Sequence, residues 1–393
     1  MLNTKRIFTA ACVGILIFGM SFLALGSVLP HMVEKFQVDK LAAGAVASIL
    51  PLGVLIGSLF FGPLADRYGY KGLLVTCCLL VAAGLEGLAL GGSWAVVEIA
   101  VFLIGAGGGA LNGSTSALVA DISEGQRGAR LSILGVFFGV GALGMPAVLA
   151  ILSPYTAQER VISVIGFLVL ATAGWLLTLQ YPQPKHSEGL PIRQGLRMLK
   201  NPAMLLLCFV LFFESGVEGL ISSWTTSYSE SELHLSAEKA LILLTAHVGA
   251  LAAMRLLLGS LLRTHMPYRI LAMGVTFAFA GSLVLWTGSG YLTGLTAMIL
   301  LGAGFAGVFP IMMGKIGDLW SNLSGTAFSI ALVIALSGNI LINYLMGLLA
   351  HEFGMVKFPI LLTVSMLFLA AMTIATANLF GDRTRRRERT TFP

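Results

Sequence analysis

Four ionisable side chains stand inside stretches that are otherwise almost wholly apolar: Glu214 and Glu218 in the run 202–228, and His247 and Arg255 in the run 237–262. A charge at the centre of a bilayer costs about 2.5–3.5 kcal/mol on insertion scales, so such groups mark binding, proton transfer or an ion pair that holds helices together. Glu218 is the first candidate to accept hydrogen bonds from solute hydroxyls or to take up a proton. Arg255 needs a counter-charge, which Glu214 or Glu218 can supply. His247 carries an imidazole, which titrates near neutral pH and suits proton relay, although a satisfied structural histidine is the plainer reading. Neutral polar groups recur in the same setting: Asn112, Ser114 and Ser116 in the run 94–120, and Asn339 and Asn343 in the run 324–350. The last two are four apart and share a helix face. These groups suit a polyhydroxylated solute, and helix-to-helix hydrogen bonding explains them equally well. Trp224 offers a ring for stacking on the apolar side of such a solute.

The elements that must position these residues are membrane-spanning helices. Of 393 residues, 57% are hydrophobic and 11% charged, with a mean hydropathy of +0.91, more apolar surface than a soluble fold can bury. A crossing helix needs about 20 mainly apolar residues. Twelve such spans are predicted, at 7–32, 41–65, 72–92, 94–120, 129–154, 160–181, 202–228, 237–262, 268–288, 291–317, 324–350 and 356–380. The side holding both termini carries 18 Lys and Arg and the opposite side 5, so the positive-inside rule puts both termini in the cytoplasm. The net charge of +6 is therefore a topology signal, and no nucleic-acid partner is expected. Cys12, Cys77, Cys78 and Cys208 all lie in apolar runs and read as small core residues. No metal-ligand cluster, nucleophile with a paired base or phosphate-binding Gly-x-x-x-x-Gly-Lys loop is present, which argues against an enzyme, a cofactor or an ATP-driven pump.

The polar stretch 182–201 divides the chain into a six-helix bundle at 1–181 and another at 202–380, with a basic cytoplasmic tail at 381–393. An internal repeat supports that division. Gly-Pro-Leu-Ala-Asp-Arg from Gly62 matches Gly-Ser-Leu-Leu-Arg-Thr from Gly259, an offset of 197 residues. The same offset carries Gly105 and Gly107 onto Gly302 and Gly304, Asp121 onto Asp318, and Gly128, Ser132 and Gly141 onto Gly325, Ser329 and Gly338. Six spans per half keep both halves in one orientation, so these are parallel repeats.

The segment after the second span reads Gly62, Asp66, Arg67, Gly69 and Lys71, which resembles the Gly-x-x-x-Asp-Arg-x-Gly-x-Lys signature of the major facilitator superfamily. The resemblance implies an all-α membrane fold of two pseudo-symmetric six-helix bundles. In physical terms, Gly62 permits a close helix contact and Gly69 a tight turn. Asp66 can meet the amino-terminal end of the eleventh span, near Ser321 and Ser324, where a carboxylate is favoured by the helix dipole. Arg67 or Lys71 can pair with Asp121, completing a cytoplasmic latch. Arg263 replaces the aspartate in the second half, so the latch should be asymmetric.

A finer resemblance is to the fucose and glucose permeases. It rests on Gly216-Val217-Glu218-Gly219 leading to Trp224, on Phe138-Gly139-Val140-Gly141-Ala142, and on Gly304-Phe305-Ala306-Gly307-Val308-Phe309-Pro310. It implies a sugar or sugar derivative as the small-molecule substrate and Glu218 as a binding group; together with the neutral polar groups above, the candidate binding residues are Glu218, Asn112, Ser116, Trp224, Asn339 and Asn343. The fourth span departs from the permease pattern Gly-x-Gly-x-x-Glu-x-x-x-Asn, reading Gly107, Gly109, Asn112 and Ser116, and the first span lacks an aspartate in its apolar run. Coupling to a proton or to sodium must then use another acid, or be absent. The expectation is a monomeric transporter in the lipid bilayer of a plasma membrane, the bacterial inner membrane, with efflux of drugs or other amphiphiles as the alternative.

Overall fold

The computed structural model describes residues 3–38, 40–152, 155–185 and 191–391. The described residues form helices and connections without strands. In order these are α1 (Thr4–Phe36), α2 (Lys40–Tyr68), α3 (Tyr70–Leu90), α4 (Trp94–Asp121), α5 (Arg127–Leu152), α6 (Gln158–Leu177), α7 (Ile192–Met198), α8 (Pro202–Ser231), α9 (Ala237–Thr264), α10 (Pro267–Thr287), α11 (Tyr291–Phe305), α12 (Val308–Leu319), α13 (Ser324–Phe353) and α14 (Phe358–Thr391). Among the described residues, twelve stretches are long and apolar enough to cross a membrane, as the sequence predicts. Hydrocarbon leaves the backbone no partner but itself, so each crossing segment is a helix. Polar residues start several of them: Asn201 accepts from Ala203 N at 3.0 Å ahead of Pro202, and Asn3 accepts from Arg6 N at 3.2 Å.

The structure departs from the predicted spans in the tenth. It breaks at Ala306 and Gly307 into α11 and α12. Pro310 has no N–H to offer the Ala306 carbonyl four residues earlier and its ring crowds that oxygen, so the first helix stops short of it. Part of the expected linker, 186–190, lies outside the described residues, as do 392–393 of the tail; the rest of the tail continues α14 to Thr391.

Two compact units emerge. Unit one is Met1–Gly125, Leu134–Gly195 and Gly317–Ile330; unit two is Gln126–Ile133, Leu196–Ile316 and Ala331–Pro393. Each contains most of one expected bundle, with the start of α13 assigned to unit one and the start of α5 to unit two. Hydrogen bonds account for both assignments: the first turn of α13 holds Asp66 of α2, and Ser132 Oγ of α5 donates to the Arg255 carbonyl of α9 at 2.7 Å.

Glycine sets the helix contacts inside each unit, and the 197-residue offset recurs there in three dimensions. In unit one a Cβ on Gly105 would strike the Leu50 carbonyl, one on Gly107 the Cys77 carbonyl, and one on Gly84 the Ala100 carbonyl. In unit two the corresponding atoms are Gly302 against His247, Gly304 against Gly274, and Gly281 against Ala297. Both members of every pair move by the same 197 positions. Small residues in membrane helices let backbones approach until dispersion contacts hold them. Replacing Gly105 or Gly302 by leucine should therefore cost about 1–3 kcal/mol or more, lowering the melting temperature and monodisperse yield in detergent. Gly249→Ala, which adds a methyl with nothing within 4 Å, should leave both unchanged.

Candidate functional site

In unit two, α8 and α9 bring the four ionisable residues into one region. Glu214 is 2% exposed, His247 2% and Arg255 9%, while Glu218, one turn beyond Glu214, is half-buried. Glu218 and Arg255 are the charged groups near enough to act on the Glu214 carboxylate. No contact ion pair forms among them. Glu214 Oε1 and Arg255 Nε lack hydrogen-bond partners among the described residues. Neither ring nitrogen of His247 has a well-formed hydrogen bond, although the Met298 main chain lies close enough to act on it. Buried polar atoms are ordinarily satisfied, so three incompletely partnered ionisable groups in one unit mark this region as the candidate site.

The neutral polar groups are in a different condition. Asn339 Nδ2 donates to the Ser215 carbonyl at 2.9 Å, Asn343 Nδ2 to the Asn339 carbonyl at 2.9 Å, and Trp224 Nε1 to Asn343 Oδ1 at 3.1 Å. This chain ties α13 to α8. It is possible because Gly219 has no side chain: a Cβ there would collide with both asparagine amides. Glycines on either side of Glu218, at 216 and 219, thus serve the approach of α13. Asn112 and Ser116 belong to unit one, on α4, where Ser116 is buried and the Asn112 carbonyl accepts from Thr115 Oγ1 at 3.1 Å.

Unit one also holds the residues of the expected latch. Asp66 is 1% exposed; its Oδ1 accepts from Gly325 N at 3.1 Å and its Oδ2 from Thr326 N at 2.7 Å and Thr326 Oγ1 at 2.6 Å. A carboxylate thereby satisfies the free amides that open α13, with the helix dipole in its favour. Gly62 and Gly325 allow the approach, since a Cβ on either would meet the other's carbonyl. Gly69, at φ +78°, turns the chain into α3.

The cation on Asp121 is neither of the expected residues. Lys185, just after the sixth span, places Nζ 2.6 Å from Asp121 Oδ1, 2.6 Å from the Ser321 carbonyl and 2.7 Å from Ser324 Oγ, and its backbone N–H donates to the Asp66 carbonyl at 3.0 Å. Tyr70 OH donates to Asp121 Oδ2 at 2.5 Å. Arg67 lies over its neighbour Tyr68, and Lys71 is exposed. Arg67 closes α2 and Lys71 opens α3, whereas the extended 182–185 segment brings Lys185 to the carboxylate. In unit two the counterpart of Gly62, Gly259, has nothing near its Cβ position and Arg263 is exposed, in keeping with an asymmetric latch.

Comparison with known proteins bears on the whole chain. The family model described as Major Facilitator Superfamily matches residues 11–342. Among curated proteins, the chain is 23% identical to the uncharacterized MFS-type transporter YfkL of Bacillus subtilis, over 90% of this chain and 91% of that one. It is 26% identical to the 3-(3-hydroxy-phenyl)propionate transporter of Escherichia coli, over 84% of each. Among solved structures, the E. coli fucose:proton symporter FucP superposes with a TM-score of 0.79 at 19% identity, covering 95% of this chain and 98% of that one; at that identity the likeness is one of fold.

Removing the latch's charge should register in stability. Asp66→Asn sets an amide against the Gly325 and Thr326 N–H groups and should cost about 1–3 kcal/mol, seen as a lower melting temperature in detergent. Lys185→Met should lower it as well, and Lys71→Met should not.

Proposed function

The chain belongs to the Major Facilitator Superfamily, and from that premise we propose that it is a proton-coupled transporter of a small hydroxyl-bearing solute, a sugar or sugar derivative, working as a monomer by alternating access. The observation that carries this reading is the cluster of Glu214, Glu218, His247 and Arg255. Two carboxylates one turn apart face a single guanidinium, which leaves one negative charge without a partner in a medium that penalises it. A proton from the aqueous side neutralises that charge, and protonation or deprotonation changes how strongly α8 and α9 attract each other. Coupling through α8 also accommodates the amide and hydroxyl at Asn112 and Ser116, where the permease pattern has an acid and an amide. A sugar is favoured by the fold shared with a fucose symporter and by the neutral polar groups beside Glu218, with Asn339, Asn343 and Trp224 exchanging their mutual hydrogen bonds for bonds to hydroxyls. The Lys and Arg distribution supports cytoplasmic termini and puts the Asp66–Lys185 latch on the cytoplasmic side.

A second reading, a hydroxylated aromatic acid, is favoured by Arg255, whose Nε is unpartnered and could receive a carboxylate, and by the stacked pair Phe213–Phe368. The kinship to a 3-(3-hydroxy-phenyl)propionate transporter points the same way.

Purified protein in liposomes separates these readings. Counterflow of L-fucose, D-xylose, D-glucose, 3-(3-hydroxyphenyl)propionate and an amphiphilic dye would be measured first, then uptake driven by an imposed pH or sodium gradient. Exchange of a sugar with uphill uptake on a pH gradient is expected. Exchange of the aromatic acid alone selects the second reading, and movement of the dye alone selects efflux. Glu214→Gln and Glu218→Gln should keep their melting temperatures while gradient-driven accumulation falls at least about tenfold, with counterflow largely retained. Full accumulation in both variants would remove the cluster from the coupling step.

A further inference from the structure

Unit two encloses a second feature that the transport reading does not use. Between α9, α10 and the break that separates α11 from α12 lies a cavity of about 180 Å³. Its walls are apolar, with Leu258 and Leu261 from α9, Met273 and Phe277 from α10, and Ala303 from α11, and Gly274, Gly304 and Gly307 also line it. None of Glu214, Glu218, His247 or Arg255 lines it. Met273 is 59% exposed and Phe277 43%, so the cavity opens on the outer surface of α10. Two basic residues, His265 and Arg269, stand in its lining at the α9–α10 turn. His265 Nδ1 is engaged with Thr264 Oγ1 at 2.7 Å. The Arg269 guanidinium has no carboxylate or hydrogen-bond partner among the described residues, and Arg269 is exposed.

An apolar recess that opens where a membrane helix meets acyl chains, with an unpaired guanidinium at the level of the helix ends, matches one ligand chemistry. We infer that this cavity binds an anionic phospholipid, one acyl chain lying against Leu258, Leu261 and Phe277 and the phosphodiester meeting Arg269 beside His265. Guanidinium pairs with phosphate oxygens in a planar, two-point geometry, and basic pockets between membrane helices on the cytoplasmic side select anionic headgroups. A polar solute would find donors only at His265 and Arg269, with apolar side chains around the rest of the recess. A zwitterionic lipid would gain the apolar contact while its choline lay against the same cation. The break at Ala306–Gly307 forms part of the wall, so an occupied cavity supports the one interruption in the tenth span.

The test uses the full chain in detergent, with native mass spectrometry and thermal melting in the presence of dioleoylphosphatidylglycerol, dioleoylphosphatidylcholine or inorganic phosphate. The wild type should retain phosphatidylglycerol at least about fivefold over phosphatidylcholine and melt higher with it, while phosphate has no effect. Arg269→Gln should keep the lipid-free melting temperature and lose the preference. Ala303→Leu, which fills the recess, should lower retention of both lipids. Arg263→Gln, a cation outside the lining, should change nothing. Equal retention of the two lipids by the wild type overturns the site, as does a preference that survives Arg269→Gln. An equal loss in Arg263→Gln reduces the preference to diffuse surface charge and also overturns it.

Discussion

Hydrocarbon offers neither donors nor acceptors to a chain that crosses it, and this one deprivation organises the molecule. It forces every crossing segment into a helix, and it removes the usual reason for helices to associate, because acyl chains are as apolar as leucine. What remains is close backbone contact, which needs glycine at matched positions. That requirement explains why the 197-residue repeat survives most clearly in Gly84, Gly105 and Gly107 and their counterparts Gly281, Gly302 and Gly304. A position facing lipid can exchange one apolar residue for another, but a glycine lodged under a carbonyl cannot change without moving a helix.

The same scarcity of partners divides the polar residues into two kinds. Asn339, Asn343 and Trp224 spend their hydrogen bonds on one another and on the Ser215 carbonyl, and so act first as fasteners between α8 and α13. Glu214, His247 and Arg255 are more deeply buried and are left incompletely matched. In a bilayer the second condition is the costly one, and a protein that maintains it does so where charge must come and go. On the proposed reading, binding and coupling fall to different residues of the same region, with Glu218 between them.

Much of this was legible in residue order. Apolar runs located the spans, since length and composition alone dictate a crossing helix, and the repeat register anticipated the glycine contacts. The place of Asp66 at the start of α13 followed from the helix dipole. Lys185 was not legible, because it lies in a segment with no periodicity, and which cation reaches a carboxylate depends on how the backbone leaves the sixth span. The division of the tenth span had a signal in Pro310 that hydropathy averages away. The cross-bonding of Asn339, Asn343 and Trp224 was one of two open readings, and only the distance between α8 and α13 decides between them.

Lys185 also alters where the chain can be thought of as ending its first half. By composition, 182–201 is a tether whose purpose is to join two bundles. By hydrogen bonding, residues up to Lys185 are part of unit one's packed structure, fastened to Asp66, Asp121 and the opening of α13. A gene split on the amino side of Lys185 would hand the second fragment a piece that the first needs, and unit one extends as far as Gly195, where an added Cβ would meet the Thr326 side chain. Neither half is self-sufficient on this count, because the clasp draws Ser321, Ser324, Gly325 and Thr326 from beyond the tenth span, in the second half of the chain.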